Sequence, residues 1–200
     1  MSWIKIISFE EAEGKLKRLY NRIKGPNNVL DNVLSVHSLR PHTLEGHMAL
    51  YKSVLHHTGN TFPKWYLETL GTYISQLNAC EYCAKHHVVG LERELADDAR
   101  FALIQAAMKS GDFSEALNEK QLAGMNYGIK LTVDHKNITN SDMEVLHAAG
   151  FDDGEILEVN QVVSYFNYVN RMVVGLGVNL EKENIGLSPQ SSNSDDWSHQ

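Results

Sequence analysis

The chain has 200 residues, of which 42% are apolar and 22% are charged, and its formal net charge is −7. This composition is typical of a globular protein with one domain, and the acidic excess argues against a nucleic-acid-binding footprint. No apolar stretch reaches the ~20 residues that span a bilayer, and the first ten residues lack the pattern of a signal peptide. We therefore expect a cytoplasmic protein with neither a nucleic-acid nor a membrane partner.

Helical periodicity runs through nearly the whole chain. The first helix follows a capping signature at Ser8–Glu11, and two later helices start at Pro41 and Pro63. The predicted helices cover 9–23, 29–39, 41–55, 63–77, a stretch that starts at 79, and then 95–109, 119–133, 139–149 and 152–175. The sequence thus predicts an all-α fold of seven to nine helices, with 3–7 as one extended edge segment.

The chain divides into two unequal parts. Helical patterns continue to about residue 185, and we predict a single all-α domain over 1–185. The remaining residues, 186–200, are rich in Ser, Asn and Asp. Such a composition buries little apolar surface, so we predict a polar, disordered tail there.

The two cysteines of the chain, Cys80 and Cys83, are three residues apart. A secreted fold held by disulfides would carry more cysteines along its length, so this pair favours a chemical role. Asn78 and Glu81 form a capping signature, which predicts a helix break near Asn78. Cys80 then lies near a helix N-terminus, where unpaired backbone N–H groups and the helix dipole stabilise a thiolate.

His87 lies on the same predicted helix face as both sulfurs, because successive residues turn by about 100°. It is one turn from Cys83 and can accept its proton, whereas His86 projects elsewhere as a satisfied or solvated histidine. On one straight helix Glu68 would be about 18 Å from Cys80, but the predicted break lets it fold back towards His87. A thiol peroxidase or a disulfide reductase needs at least a nucleophile, a resolving thiol and a base, and the two cysteines and His87 supply these groups.

This spacing, Glu68 followed by Cys80-x-x-Cys83-x-x-x-His87, resembles the active-site motif of alkylhydroperoxidase D-like proteins in the carboxymuconolactone decarboxylase superfamily. The later stretch 166–177 resembles the peroxidase-related branch of that superfamily. The resemblance implies the alkylhydroperoxidase D-like helical fold, assembled as a homotrimer or hexamer. It also implies that a hydroperoxide oxidises Cys83 to a sulfenic acid, that Cys80 resolves it as a disulfide, and that Glu68 and His87 relay protons.

Tyr82 departs from this pattern, because alkylhydroperoxidase D has a histidine between its cysteines. A tyrosine with a pKa near 10 cannot replace that histidine as a proton shuttle at neutral pH, which bears on rate and substrate. The helix terminus favours Cys80 as the nucleophile and the resemblance favours Cys83; we follow the resemblance, since His87 is the nearer base to Cys83. No flavin, haem or nucleotide motif is present, so we expect no cofactor and an external dithiol reductant.

Three other interpretations of the cysteine pair remain open. A zinc site could use Cys80, Cys83 and His87, although a structural site usually needs a fourth protein ligand. The candidates for that ligand are His37, His42, His47, His56 and His57. Other branches of the superfamily suggest a decarboxylase or lyase of a small cyclic acid, but these branches generally lack the paired cysteines. The third reading is a non-catalytic oligomeric module that senses redox state or binds metal.

Overall fold

The computed structural model describes residues 2–182, 185–189 and 196–200, and within these ranges it holds nine α-helices and no β-strand. The helices are α1 (Gly14–Ile23), α2 (Asn32–Ser35), α3 (Pro41–Leu55), α4 (Lys64–Leu77), α5 (Glu81–Leu95), α6 (Asp98–Ser110), α7 (Glu119–Val133), α8 (Asn140–Ala148) and α9 (Asp153–Gly175). The all-α prediction is confirmed, whereas the segment 3–7 forms no strand. None of the helices in the described chain is long and apolar enough to cross a membrane.

Helix α4 is the centre of the bundle. All ten residues from Tyr66 to Ser75 are buried, because α3, α5, α7 and α9 pack around it. A helix covered on all sides carries mainly small or apolar residues, and the buried carboxylate of Glu68 is the exception in α4. Gly71 shows how closely α9 approaches, since a Cβ atom there would overlap the ring of Phe166.

Several helix starts follow from local capping chemistry. Helices α7, α8 and α9 each begin with a reciprocal capping box, at Asn118, Thr139 and Asp152, close to the predicted boundaries. Ser8 and Glu11 also exchange the two predicted hydrogen bonds. The chain then takes a left-handed φ of +53° at Gly14, and α1 begins only there.

The break between α4 and α5 lies where the sequence predicts it, but its cap is different. Ala79 adopts a left-handed φ of 53°, which reverses the chain, and the Cys80 N–H donates to Ser75 O over 2.8 Å. Cys80 is itself the N-cap residue of α5. The side chain of Asn78, predicted as the cap, instead donates to Asn170 Oδ1 over 3.0 Å.

The segment predicted as a disordered tail contacts the helical body where it is described. The guanidinium of Arg22 lies 3.7 Å from the ring centroid of Trp197, and His199 Nδ1 donates to Ile23 O over 3.1 Å. Residues 190–195 lie outside the described residues. The prediction from composition does not account for these contacts, because burial of Trp197 and His199 depends on partners distant in sequence. The division of the chain at residue 185 stays a prediction.

Candidate active site

Cys80 and Cys83 meet at the start of α5. The two residues approach to 3.3 Å and are not joined as a disulfide. Cys80 is 1% exposed and Cys83 is 3% exposed, so both thiols are shielded from bulk water. A thiol pair at this separation needs only a small movement to close a disulfide across the first turn of the helix.

Glu68 and His87 form a buried pair across the α4–α5 turn. Glu68 Oε2 lies 2.7 Å from His87 Nδ1, and Glu68 is 1% exposed. The edge of the His87 ring also packs against Phe166, with ring centroids 4.7 Å apart. The carboxylate and this aromatic contact fix the imidazole, which leaves Nε2 as the ring nitrogen that can exchange a proton. The predicted approach of Glu68 to His87 is therefore present in the structure.

Cys83, Glu68 and His87 line one cavity of about 40 Å³. A water molecule needs roughly 10–15 Å³ of such space, so the cavity holds about three water-sized molecules. The aromatic part of its lining is formed by Tyr51, Tyr82 and Tyr165. The polar part is formed by Asp31, His47, His86, Arg93, Ser188 and His199. The site therefore offers a small, polar space next to one thiol.

Cys80 does not line that cavity. It lines a separate groove of about 160 Å³ between the start of α5 and the residues after α9. The prediction that both sulfurs share one helix face with His87 is therefore wrong in part. Cys80 precedes the first helical residue and has non-helical backbone angles, so helical spacing does not apply to it.

The two thiols differ in acidity. Hydrogen bonds from the Cys83 thiol and from the backbone N–H groups of Cys83 and Tyr82 lower the pKa of Cys80, against the opposing effect of burial. The same hydrogen bond to Cys80 and burial raise the pKa of Cys83 well above its usual value. Of the two thiols, Cys80 is therefore the more readily ionised, and the Cys83 thiol donates a hydrogen bond to it.

Asn170 of α9 connects the cysteine pair to α4. Its amide donates to Ser75 Oγ over 3.0 Å and its oxygen accepts from Asn78. Its amide also lies against both sulfurs and favours the thiolate form of each. Asn170 lies in the stretch 166–177 that resembles the peroxidase-related branch, and the sequence predicts for it either an interface or a substrate entrance; nothing in the local pattern links it to the cysteines of α5.

A second group of polar residues lines the other side of the cavity. His86 Nε2 lies 2.7 Å from Glu181 Oε2, and the Tyr82 hydroxyl donates to Glu181 Oε1 over 2.7 Å. Tyr82 stacks on His86 with ring centroids 4.4 Å apart. Burial raises the pKa of Tyr82 well above its usual value, so its hydroxyl remains protonated. His86 is thus satisfied, as the sequence predicts, but it also faces the cavity.

Two lining residues carry buried polar atoms without a hydrogen-bond partner among the described atoms. These are Asp31 Oδ1 and His47 Nδ1. Burial raises the pKa of Asp31 to about 7 and lowers the pKa of His47 to about 3, because it disfavours the charged form of each group.

Of the histidines considered as a fourth zinc ligand, His47 lines the cavity beside Cys83, and the other four do not line it. His42 and His57 are exposed, and His37 lies beside His47, with ring centroids 5.1 Å apart. His56 packs on the edge of Tyr51. In the described part of the chain, no group of three or more His, Cys, Asp or Glu side chains is arranged to hold a metal ion.

Comparison with known proteins identifies the fold. No protein-family model and no curated protein matches the sequence. A peroxidase-related protein from Silicibacter sp. TM1040 has a similar structure, with TM-score 0.68, 21% identity and coverage of 78% of this chain and 79% of that one. An alkylhydroperoxidase AhpD core protein from Ralstonia eutropha JMP134 gives TM-score 0.73, 17% identity and coverage of 90% and 93%. Both are described as uncharacterised.

The debrominase Bmp8 shares the same architecture. Its structure without ligand gives TM-score 0.70 and 15% identity, and the match covers 88% of this chain and 91% of that one. A cysteine-to-alanine variant of Bmp8 has been solved with 2,3,4-tribromopyrrole. At these identities the likeness establishes the fold: this chain has the alkylhydroperoxidase D-like helical fold, as the motif predicts.

Proposed function

We propose that this protein is a thiol-dependent peroxidase that reduces hydroperoxides through a Cys80–Cys83 disulfide cycle. The observation that carries the proposal is the cavity in which Cys83 faces the buried Glu68–His87 pair while Cys80 lies 3.3 Å away. This arrangement provides a nucleophile, a proton carrier and a resolving thiol.

In the first step, the Cys83 thiol transfers its proton to His87, and the thiolate attacks the terminal oxygen of the hydroperoxide. The O–O bond breaks, and the leaving oxygen takes the proton from His87 and departs as water or an alcohol. Cys83 becomes a sulfenic acid, so sulfur loses the two electrons that the peroxide gains. Glu68 holds the imidazole in place and stabilises its charged form between these two transfers.

In the second step, the Cys80 thiolate attacks the sulfur of the Cys83 sulfenic acid. The S–O bond breaks, the disulfide forms, and the hydroxide leaves as water with the proton that the Cys80 thiol released when it ionised. The lowered pKa of Cys80 suits this role, because the attacking sulfur must be ionised. The hydrogen bond that raises the pKa of Cys83 is lost once Cys83 is oxidised.

An external dithiol then restores the enzyme. Its first thiolate attacks Cys80, which lines the groove of about 160 Å³, and its second thiol resolves the mixed disulfide. Two electrons pass to the protein, and the dithiol leaves as a disulfide. No bound cofactor is needed in this cycle.

We also propose that the chain forms a homo-oligomer, a trimer or a hexamer, in the cytoplasm. Helix α9 supports the oligomer, because Leu157, Tyr168 and Val174 are between 45% and 59% exposed on it. Light scattering after size-exclusion chromatography tests this, and a monomer at micromolar concentration would contradict it.

Two other activities receive less support. The presence of both cysteines in contact counts against a decarboxylase or lyase on this fold. The 2,3,4-tribromopyrrole ligand was found in Bmp8, which is 13% identical to this chain, so it assigns no substrate here.

The test is peroxide consumption with dithiothreitol as reductant. The wild-type protein should turn over many equivalents of hydrogen peroxide, Cys83→Ser should turn over none, and both should show the same circular dichroism spectrum. Full turnover by Cys83→Ser would refute the mechanism.

A further inference from the structure

The cavity at Cys83 has one wall that comes from the end of the chain. We call residues 185–189 and 196–200 the C-terminal segment. Gly186, Leu187, Ser188 and His199 of this segment line the cavity. The two pieces pair with each other, because the Gln200 N–H donates to Ser188 O over 3.1 Å.

The first piece is fixed to α5. Arg93 donates from Nη1 to Gly186 O over 3.0 Å and from Nη2 to Ser188 Oγ over 2.8 Å. The Gly186 N–H donates to His86 Nδ1 over 3.2 Å. Gly186 has a left-handed φ of +84° and packs so closely that a Cβ atom would lie 2.6 Å from Val89.

The second piece is fixed to α1 and α3. His199 Nδ1 donates to Ile23 O over 3.1 Å, and its ring stacks on Tyr51 with centroids 6.3 Å apart. His199 Nε2 also lies 3.9 Å from Asp31 Oδ2. Lys52 Nζ donates to Asp196 O. Both pieces therefore hold their positions through contacts to several helices.

This wall sets the size of the site. With the C-terminal segment in place the cavity measures about 40 Å³, which accommodates about three water-sized molecules. Hydrogen peroxide has two oxygen atoms and fits in this space. Cumene hydroperoxide carries a phenyl ring and does not fit unless the wall moves.

We infer that the C-terminal segment is a specificity-determining wall that restricts the Cys83 site to hydrogen peroxide and hydroperoxides of similar size. This inference rests on the proposed function and adds its substrate class. Moving the segment, or trimming the side chains that it places in the cavity, should admit bulky hydroperoxides.

The test displaces the wall in the full-length protein. In Gly186→Ala the new methyl group collides with Val89, so the segment must shift away from α5. The matched control is Gly150→Ala, which introduces the same change at a φ of +90° with nothing within 4 Å of the new Cβ atom. Leu187→Ala is a second variant that widens the cavity without a collision.

The readout is the ratio of the rates at which cumene hydroperoxide and hydrogen peroxide oxidise the protein thiols. We expect Gly186→Ala and Leu187→Ala to raise this ratio by about tenfold or more, because a tight pocket that gains room accepts the larger substrate better. Gly150→Ala should match the wild type. If Leu187→Ala and every folded Gly186→Ala preparation keep the wild-type ratio, the inference is overturned.

A second readout separates this inference from the proposed function. In a Cys80→Ser background, alkylation of Cys83 by iodoacetamide and by the bulkier N-phenylmaleimide measures access without peroxide chemistry. The wall variants should accelerate the N-phenylmaleimide reaction selectively. Peroxide-inert thiols would refute the proposed function alone, and an unchanged alkylation ratio would refute the wall alone.

Discussion

Cys80 and Cys83 are 3.3 Å apart, yet they line different spaces in the fold. Cys83 faces the small cavity that contains the Glu68–His87 pair, and Cys80 faces a wider groove beside the end of α9. A substrate and a reductant can therefore approach the pair from different sides. This division of access favours Cys83 as the thiol that meets the substrate, whereas the lowered pKa of Cys80 favours Cys80.

The order of attack is the first prediction. With Cys80→Ser, one equivalent of hydrogen peroxide should leave a sulfenic acid on Cys83, because the resolving thiol is absent. Dimedone followed by peptide mass spectrometry should then label Cys83. The reciprocal variant, Cys83→Ser, should show little label on Cys80, since Cys80 is outside the cavity. Strong labelling of Cys80 would mean that acidity, and not access to the Glu68–His87 pair, selects the nucleophile.

The Glu68 carboxylate is the subject of the second prediction. Glu68→Gln keeps the shape of the side chain but removes the charge that stabilises a protonated His87. We expect oxidation of Cys83 to slow by about 10–100-fold. Stopped-flow measurement of thiol loss gives this rate.

Glu155→Gln is the matched control for Glu68→Gln. Glu155 is also buried and is paired with Lys120, on the far side of the bundle from the cysteines. A glutamine still completes the capping box at the start of α9. Equal slowing by both substitutions would show that the effect is a general loss of packing.

The third prediction concerns stability in acid. Burial lowers the pKa of His37 and of His199 to about 4 and that of His47 to about 3, below the value of 6.5 in an unfolded chain. Between pH 6.5 and about 4 the unfolded chain therefore binds protons that the folded chain excludes. Each such group lowers the free energy of unfolding by about 1.4 kcal/mol per pH unit as the pH falls through this window. Urea unfolding at pH 7 and pH 5 measures the loss.

Three substitutions test the sign of that effect. His47→Phe should make the loss in acid shallower, whereas His135→Gln, at an exposed position, should leave it unchanged. Asp31 acts in the opposite direction, because burial raises its pKa from 3.8 to about 7 and the folded chain then binds the extra proton. Asp31→Asn should therefore make the loss steeper. A flat profile for the wild type would contradict the burial of these groups.

The fourth prediction tests the contact between α4 and α9. Gly71→Ala places a methyl group into the Phe166 ring, which also packs on His87. We expect the free energy of unfolding to fall by about 1–3 kcal/mol, the cost of overpacking. Gly46 lies at an exposed position of α3, and a Cβ atom there meets nothing within 4 Å. Gly46→Ala should therefore raise the free energy of unfolding by about 0.5–1 kcal/mol. Thermal unfolding of both variants compares them directly, and equal effects would contradict the close packing.

Much of the fold follows from local sequence signals. The capping boxes at Asn118, Thr139 and Asp152 and the helical spacing of apolar residues are enough to place α7, α8 and α9 within one or two residues. The approach of Glu68 to His87 is also predictable, because one helix break between them leaves few other arrangements.

The remaining features of the site depend on contacts between distant parts of the chain. Asn170 reaches the cysteines from α9, and His199 reaches the cavity from the end of the chain. Both contacts join residues that are far apart in sequence, so periodicity and capping carry no information about them. Helical spacing also misplaces Cys80, because a residue at the N-cap does not follow helical angles.

The central claim is that hydroperoxide converts the two thiols into one disulfide. Intact mass and free-thiol titration of the reduced protein, before and after one equivalent of hydrogen peroxide, test it most directly. We predict that the protein loses the mass of two hydrogen atoms and that both thiols become unreactive until dithiothreitol is added. An unchanged mass with both thiols still titratable would contradict the account.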